Sequence, residues 1–256
     1  MTEYPIILVH GIAIREAWYI KAFGKIGKVL RQEGFDVTTA KTDAFGTIEN
    51  NAETLKKCVL DVLERTGAEK VNLIGQSKGG IDSLYMIEHL GMKEKVATLT
   101  TLSTPHKGSL IATRIWNIPM WIKRILALLI NGFYRLAGDK RPNSLKVCEQ
   151  LKLIEDVSEV SVPEGIYCQS YSQRMKRARD CLFVAIPYLI YNKVDRGNHD
   201  GIVTVDSARF GIYRGDCFKE SISHTQMVDF FARRKTRSVI FDFYIRLCRE
   251  LGEMGY

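Results

Sequence analysis

The chain has 256 residues, 46% hydrophobic and 26% charged, a balance that excludes a low-complexity chain and lets a core form without disulfide or metal support. Its formal net charge is +8, with basic clusters at Arg174 to Arg179 and Arg233 to Arg237. The clusters read as a solvated face or as an attraction to an anionic lipid surface; no nucleic-acid-binding motif accompanies them, and no nucleic-acid partner is expected.

Met1 leads almost directly into "YPIILVHG", a core strand, with no basic and apolar leader ahead of it. Further strand signals follow in "FDVTTA", "KVNLIGQ", "VATLTTLS" and "GIYCQSYS", with a weaker one near residues 189 to 194. Helical patterns fall between them at about residues 16 to 33, 49 to 66, 79 to 90 and 236 to 251. Short runs rich in Val, Ile and Thr that alternate with helices predict a single α/β domain over residues 1 to 256, its mostly parallel sheet covered on both faces. The six cysteines, Cys58, Cys148, Cys168, Cys181, Cys217 and Cys248, are scattered with no CxxC pair. That suits reduced thiols, and with the Met start it predicts a cytoplasmic protein.

The stretch at about residues 108 to 160 is far longer than an ordinary connection. Within it Ile118, Trp121, Ile122, Ile125, Leu128 and Leu129 recur at the spacing of an apolar helical stripe, widened by Leu126 and Ile130, with Lys123 and Arg124 off the stripe. Charge interrupts it too often for a membrane span. Two readings remain: an insertion packed as core, or a helical cap whose apolar underside, with Trp121, Ile122 and Ile125, covers a substrate cleft.

"KVNLIGQSKGG" places Ser77 between Gly75 and Gly79, directly after a strand and before a helix. G-x-S-x-G at a strand-to-helix turn is a nucleophile elbow: the turn forces the serine into strained backbone angles and lifts Oγ clear of the sheet. A serine hydroxyl needs a base to take its proton, and that base needs a carboxylate to orient it, in the chain order Ser, acid, His. Of the histidines after Ser77, His89 lies too far along the elbow helix, His106 comes too early, and His199 leaves no room for an acid. His224 in "SISHTQMVDF" is the predicted base, a capping or surface role being its alternative. For the acid, "GNHDGIVTVDSA" offers Asp200 in a Gly-flanked loop, with Asp206 and the preceding Asp195 as alternatives. The oxyanion hole needs two preorganised N–H groups, assigned to Lys78 after the nucleophile and Ile12 in "HGIA" after the first strand.

With these residues assembled, the chain resembles the α/β-hydrolase superfamily, in particular the bacterial triacylglycerol lipases, through "YPIILVHG", "GAEKVNLIGQSKGG", "VATLTTLSTPHKGS", "NHDGIVTVDSARFG" and "ISHTQMVDF". The resemblance implies an α/β-hydrolase fold with a helical cap, a Ser77–Asp200–His224 triad, and oxyanion donors Ile12 and Lys78. It also implies a lipase or esterase acting on acyl-glycerol or similar lipid esters, with transient contact to a lipid surface. Many of these lipases have His before the nucleophile and Gln after it, where this chain has Gln76 and Lys78. Secreted members carry a calcium-site Asp directly after the catalytic His; Thr225 stands there, and no metal or other cofactor is expected. The rival expectation is a non-catalytic membrane-interface or partner-binding module on the same scaffold.

Overall fold

The computed structural model of the chain describes residues 1–16, 21–154 and 160–256. Six strands form one sheet: β1 (Ile6–Val9), β2 (Val37–Thr39), β3 (Val71–Gln76), β4 (Val96–Leu102), β5 (Tyr167–Ser172) and β6 (Ile212–Asp216). Every neighbouring pair is parallel and the spatial order is β2-β1-β3-β4-β5-β6. Successive side chains of a strand point to opposite faces, so each strand feeds two cores. Ile6 and Leu8 pack with α1 (Ile26–Gln32) and α8 (Arg234–Glu253). Ile7 and Val9 pack with α2 (Ile48–Thr66) and α3 (Lys78–His89). Burial on both faces accounts for the near-continuous apolar runs of β1 and β3.

The strand order reverses between β1 and β3: the chain leaves β1 toward one edge and later returns to the other side of it. Loops from the carboxyl ends of these two neighbours diverge and leave a crevice, the usual ligand position in open α/β sheets. "HGIA" follows β1 there and Ser77 follows β3.

Two predicted elements differ. Residues near 189 to 194 are not a strand; Ala185–Tyr191 form helix α7, with Pro187 in its first turn, where a missing N–H costs nothing. The sixth strand is instead Ile212–Asp216, short and half-exposed at the sheet edge, too polar to stand out by pattern. The predicted helix at 16 to 33 is also shorter. Residues 17–20 lie outside the described residues, and Gly24 (φ +47°) breaks the chain before Lys25, whose N–H donates to Asp229 Oδ2 at 2.9 Å.

Between β4 and β5 the long stretch folds into α4 (Leu110–Trp116), α5 (Met120–Leu136) and α6 (Ser144–Gln150). The apolar stripe of α5 is split. Ala127 and Ile130 turn toward α6, while Leu126 is 43% exposed, Trp121 66% and Ile125 52%. The far end of α5 is fastened to the loop after β1: Tyr134 donates to the Ala13 carbonyl at 2.7 Å, and Arg15 donates to the Ala137 carbonyl at 2.7 Å. Among the described residues no helix is long and apolar enough to cross a membrane. Because Trp121 and Ile125 bury so little, changing both to Ser should cost less than about 1 kcal/mol, as surface substitutions do. Urea denaturation would check this, and a loss of several kcal/mol would return this face to the core.

Candidate active site

Ser77 sits at φ +55°, ψ −133°, a conformation that L side chains rarely adopt. The neighbouring glycines hold it there by permitting close approach. A Cβ on Gly75 would lie 2.6 Å from Gly80 Cα, and one on Gly79 would lie 2.3 Å from the Val9 carbonyl oxygen. The loop after β1 comes equally near, since a Cβ on Gly11 would meet Ser77 Cβ at 2.6 Å. Ser77 is thus clamped between α3 and the first loop.

The structure brings His224 and Asp200 together. His224 Nδ1 donates to Asp200 Oδ2 at 2.7 Å, and the other carboxylate oxygen accepts from the Ile202 and Val203 N–H groups at 2.9 and 2.8 Å. Asp200 is fully buried and His224 nearly so. The two acid alternatives lie elsewhere: Asp206 pairs with Lys107 at 3.0 Å on the surface, and Asp195 accepts from the Asn198 side chain. Ser77 and His224 line one cavity of about 230 Å³. No hydrogen bond joins them, because His224 Nε2 accepts from Gln76 Nε2 at 3.1 Å, and the same amide donates to the His224 carbonyl at 3.2 Å. A lone pair on Nε2 and a proton on Nδ1 make the tautomer that a base needs.

Ile12 lines the cavity and Lys78 heads α3; among the described residues neither N–H is engaged by a hydrogen bond. The Lys78 side chain turns away and is buried, its Nζ 2.6 Å from Asp82 Oδ1, while Asn51 donates to Asp82 Oδ2 at 3.1 Å. Burial pushes the Asp82 carboxyl up to about 6 against the opposing pull of Lys78.

The cavity walls are apolar: Ile14, Phe183, Val184, Pro187, Ile202 and Val228. Trp121, Ile122 and Ile125 are not among its lining residues. The inner flank of α5 faces α6, and Phe183, Val184 and Pro187, just before and inside the start of α7, line the cavity. Sequence reasoning missed this wall and the Gln76 contact. The signal was present in "CLFVAIPYLIY", where Tyr188 and Tyr191, three residues apart, turn inward while Leu182, Ile186 and Leu189 stay exposed. Phe183 also lines a neighbouring space of about 510 Å³ with Leu182, Phe231 and Arg233. The two basic clusters meet beside it, where Arg233 donates to the Arg179 carbonyl at 3.0 Å.

The remaining histidines have structural places. His89 is exposed on α3, its ring tilted against Tyr85. His199 is buried against Tyr191, and His106 is buried on Phe210 with a ring contact to Thr101 Oγ1 at 3.1 Å. Burial also pushes the thiols of Cys58 up to about 11 and of Cys168 and Cys248 up to about 12, so these cysteines are poor rival nucleophiles. Among the described residues no group of three or more His, Cys, Asp and Glu side chains could hold a metal ion.

A family model described as alpha/beta hydrolase fold matches residues 4–129. Triacylglycerol lipase 2 of Saccharomyces cerevisiae is 25% identical over 90% of this chain and 73% of that protein. A triacylglycerol lipase of Pseudarthrobacter phenanthrenivorans is 36% identical, but over only 46% of this chain and 38% of that lipase. This chain therefore aligns with less than half the length of that bacterial relative. Among solved structures, a metagenomic carboxyl esterase superposes with TM-score 0.68 at 17% identity, covering all of this chain and 76% of that one. The mature lipase of Bacillus licheniformis gives TM-score 0.58 at 21% identity over 95% of each. The chain has the α/β-hydrolase fold and is lipase-like in sequence.

His106 also sets a pH dependence. Burial lowers its pKa from the usual 6.5 to about 3, so between those values the unfolded chain binds a proton that the native chain does not. Stability therefore falls as pH drops through that window, by at most ~1.4 kcal/mol per pH unit for this group. Asp82, raised to about 6, acts in the opposite sense. The diagnostic quantity is thus the difference from His106→Gln: the variant should lose less stability than wild type from pH 6.5 to 4.5, measured by urea denaturation. Parallel profiles would contradict the assignment.

Proposed function

We propose that the chain is a serine hydrolase of carboxylic esters, acting on acyl-glycerol or similar lipid esters through an acyl-enzyme. The observation that carries this reading is the buried His224–Asp200 pair facing the same apolar cavity as the strained Ser77. As the ester enters, His224 Nε2 exchanges its Gln76 contact for Ser77 Oγ and takes the hydroxyl proton as Oγ attacks the carbonyl carbon. Asp200 holds the imidazole by Nδ1 and stabilises the imidazolium. Ile12 and Lys78 N–H groups receive the oxyanion, at the head of a helix whose dipole favours negative charge. His224 then protonates the departing alcohol, and water repeats the sequence on the acyl group.

The acyl chain lies against Ile14, Val184, Ile202 and Val228, with Phe183 between this cavity and its larger neighbour. Leu182, Phe183, Ile186, Leu189 and Phe231 are exposed at this end of the molecule, with Arg179 and Arg233 beside them. This rim, rather than the Trp121 face, is the surface that meets aggregated lipid, apolar side chains entering the interface and guanidinium groups facing headgroups. A reducing, cytoplasmic setting accords with six free thiols.

A fluorophosphonate probe should label Ser77, and Ser77→Ala should abolish labelling and lower kcat by at least ~10³. Asp200→Asn should cost on the order of 10⁴ in kcat by leaving the wrong imidazole tautomer, while Asp206→Asn stays within a few-fold. A crippled Asp206→Asn beside a mild Asp200→Asn would reassign the acid, and folded protein that resists the probe would remove the hydrolase reading.

Removing the Phe183 ring should join the two cavities. Phe183→Ala is expected to raise kcat/KM for a long acyl ester relative to a short one by about tenfold, within the range that added apolar contact supplies. Equal change for both esters would place the acyl chain elsewhere.

A further inference from the structure

Asp200 occupies a turn in which three successive main-chain N–H groups end on two adjacent side chains. Ile202 and Val203 donate to Asp200 Oδ1 at 2.9 and 2.8 Å, and Gly201 donates to His199 Nδ1 at 3.2 Å. The carboxylate keeps its place only while that turn keeps its shape, and the first of the three donors ends on a histidine ring. Gly201 has φ +99°, and a Cβ there would lie 3.0 Å from Val184 Cγ2. The turn therefore also touches the wall of the Ser77 cavity.

His199 is fully buried, its ring centre 4.8 Å from that of Tyr188 and 5.4 Å from that of Tyr191, both on α7. Those rings are anchored in turn. The Tyr188 hydroxyl donates to the Lys176 carbonyl at 2.8 Å, and the Tyr191 hydroxyl accepts from the Leu110 N–H at 2.9 Å. The His199 carbonyl accepts from the Met175 N–H at 2.9 Å, so the acceptor offered to Gly201 is preorganised. Burial pushes the His199 pKa down from the usual 6.5, against the pull of Asp200 and Asp195, which keeps the Nδ1 lone pair available. The ring proton then stands on Nε2, which is buried and has no hydrogen-bond partner among the described residues. Packing gives no reason for that arrangement, since a buried N–H without a partner is destabilising and a carbon ring carries none. What histidine adds over a carbon ring is the bond to Gly201.

We infer that His199 is a positioning residue for the proposed acid: by accepting from Gly201, its Nδ1 sets the turn that holds Asp200 against His224. The inference rests on the ester-hydrolase reading for its effect on rate, but the placement of Asp200 can be read without turnover. A ring that only packed would support α7, whose start lines the cavity, and its loss would move KM. An acceptor that sets the turn moves kcat.

Three substitutions in the full chain separate acceptor from ring. His199→Phe keeps a ring between the tyrosines and loses the acceptor. His199→Asn loses the ring but keeps a side-chain carbonyl oxygen near the Nδ1 position, and His199→Leu, of similar size, loses both. With 4-nitrophenyl butyrate, His199→Phe should lower kcat ~10- to 100-fold at unchanged KM, and His199→Leu should lower kcat at least as much. His199→Asn should hold kcat within about threefold of wild type, whatever its KM. The readout without turnover is the proton NMR signal of His224 Nδ1–H, which the short bond to Asp200 moves downfield and protects from exchange. It should persist in wild type and His199→Asn and broaden away in the other two. Should His199→Phe fail to fold, His199→Asn and His199→Leu carry the comparison. Wild-type kcat and an intact signal in the variants without an acceptor would overturn the inference, as would equal losses in His199→Asn and His199→Leu. If the signal follows the expected pattern while wild type neither cleaves the ester nor takes a fluorophosphonate at Ser77, the hydrolase reading fails and the placement of Asp200 by His199 stands.

Discussion

Everything at the site depends on main chain approaching main chain at the head of α3. Gly75 lies against Gly80, Gly79 against the Val9 carbonyl, and Gly11 against the Ser77 side chain, each closer than a methyl group would allow. These approaches fix three things together: the positive φ of Ser77, the position of the Lys78 N–H, and the contact of the first loop with the Ser77 side chain. A hydroxyl on a looser turn would need to be ordered during reaction; here folding has already met that entropy cost. Sheet topology adds the rest, since only the reversal of strand order between β1 and β3 puts the first loop and the elbow side by side.

Around that junction runs a polar framework that ties distant segments to it. Lys78 pairs with Asp82, Asp82 with Asn51, and Asn51 spans to both the N–H and the carbonyl of Asp43. The Asp43 carboxylate in turn accepts from the Lys140 and Arg141 N–H groups just beyond α5, and Asp139 accepts from Ala44 and Phe45. The helix headed by Lys78 is thereby connected to the end of α5, through a buried pair at Asp82 and exposed hydrogen bonds at Asp43. Lys78 is thus more than a polar residue at the elbow. Its ammonium requires Asp82, and an unpaired buried charge in place of either partner would be costly.

What was legible in the sequence was what local chemistry dictates. The elbow glycines and the strand before Ser77 follow from constraints within a few residues, the order Ser, Asp, His comes from the chain order of the hydrolase motif, and the structure brings Asp200 and His224 together. What was not legible depended on partners far along the chain. Helix α1 begins where it does because Asp229, 204 residues on, accepts from the Lys25 N–H. The stripe on α5 looked like one apolar face, but α6 covers only its inner flank, so Trp121 and Ile125 are left in solvent. Helix α7 hid for the opposite reason: it is apolar both inside and out, so the spacing of Tyr188 and Tyr191 is the one trace of its inner face.

The contact between Gln76 and His224 shows how the two kinds of constraint meet. Gln76 precedes Ser77, so β3 places it in the site, but its partner is 148 residues away. Its amide donates both to Nε2 and to the carbonyl of the same histidine, which fixes the imidazole from the side opposite Asp200. The ring is therefore held at both nitrogens, with the proton on Nδ1 and the lone pair on Nε2 directed into the site. In the proposed mechanism that lone pair is the one Ser77 must reach. The arrangement gives the histidine a defined tautomer before any substrate arrives, and the hydrogen bond to Gln76 must yield when the proton moves. A hydrogen bond nets only ~0.5–1.5 kcal/mol, so yielding it costs little beside the gain from a base that is already oriented.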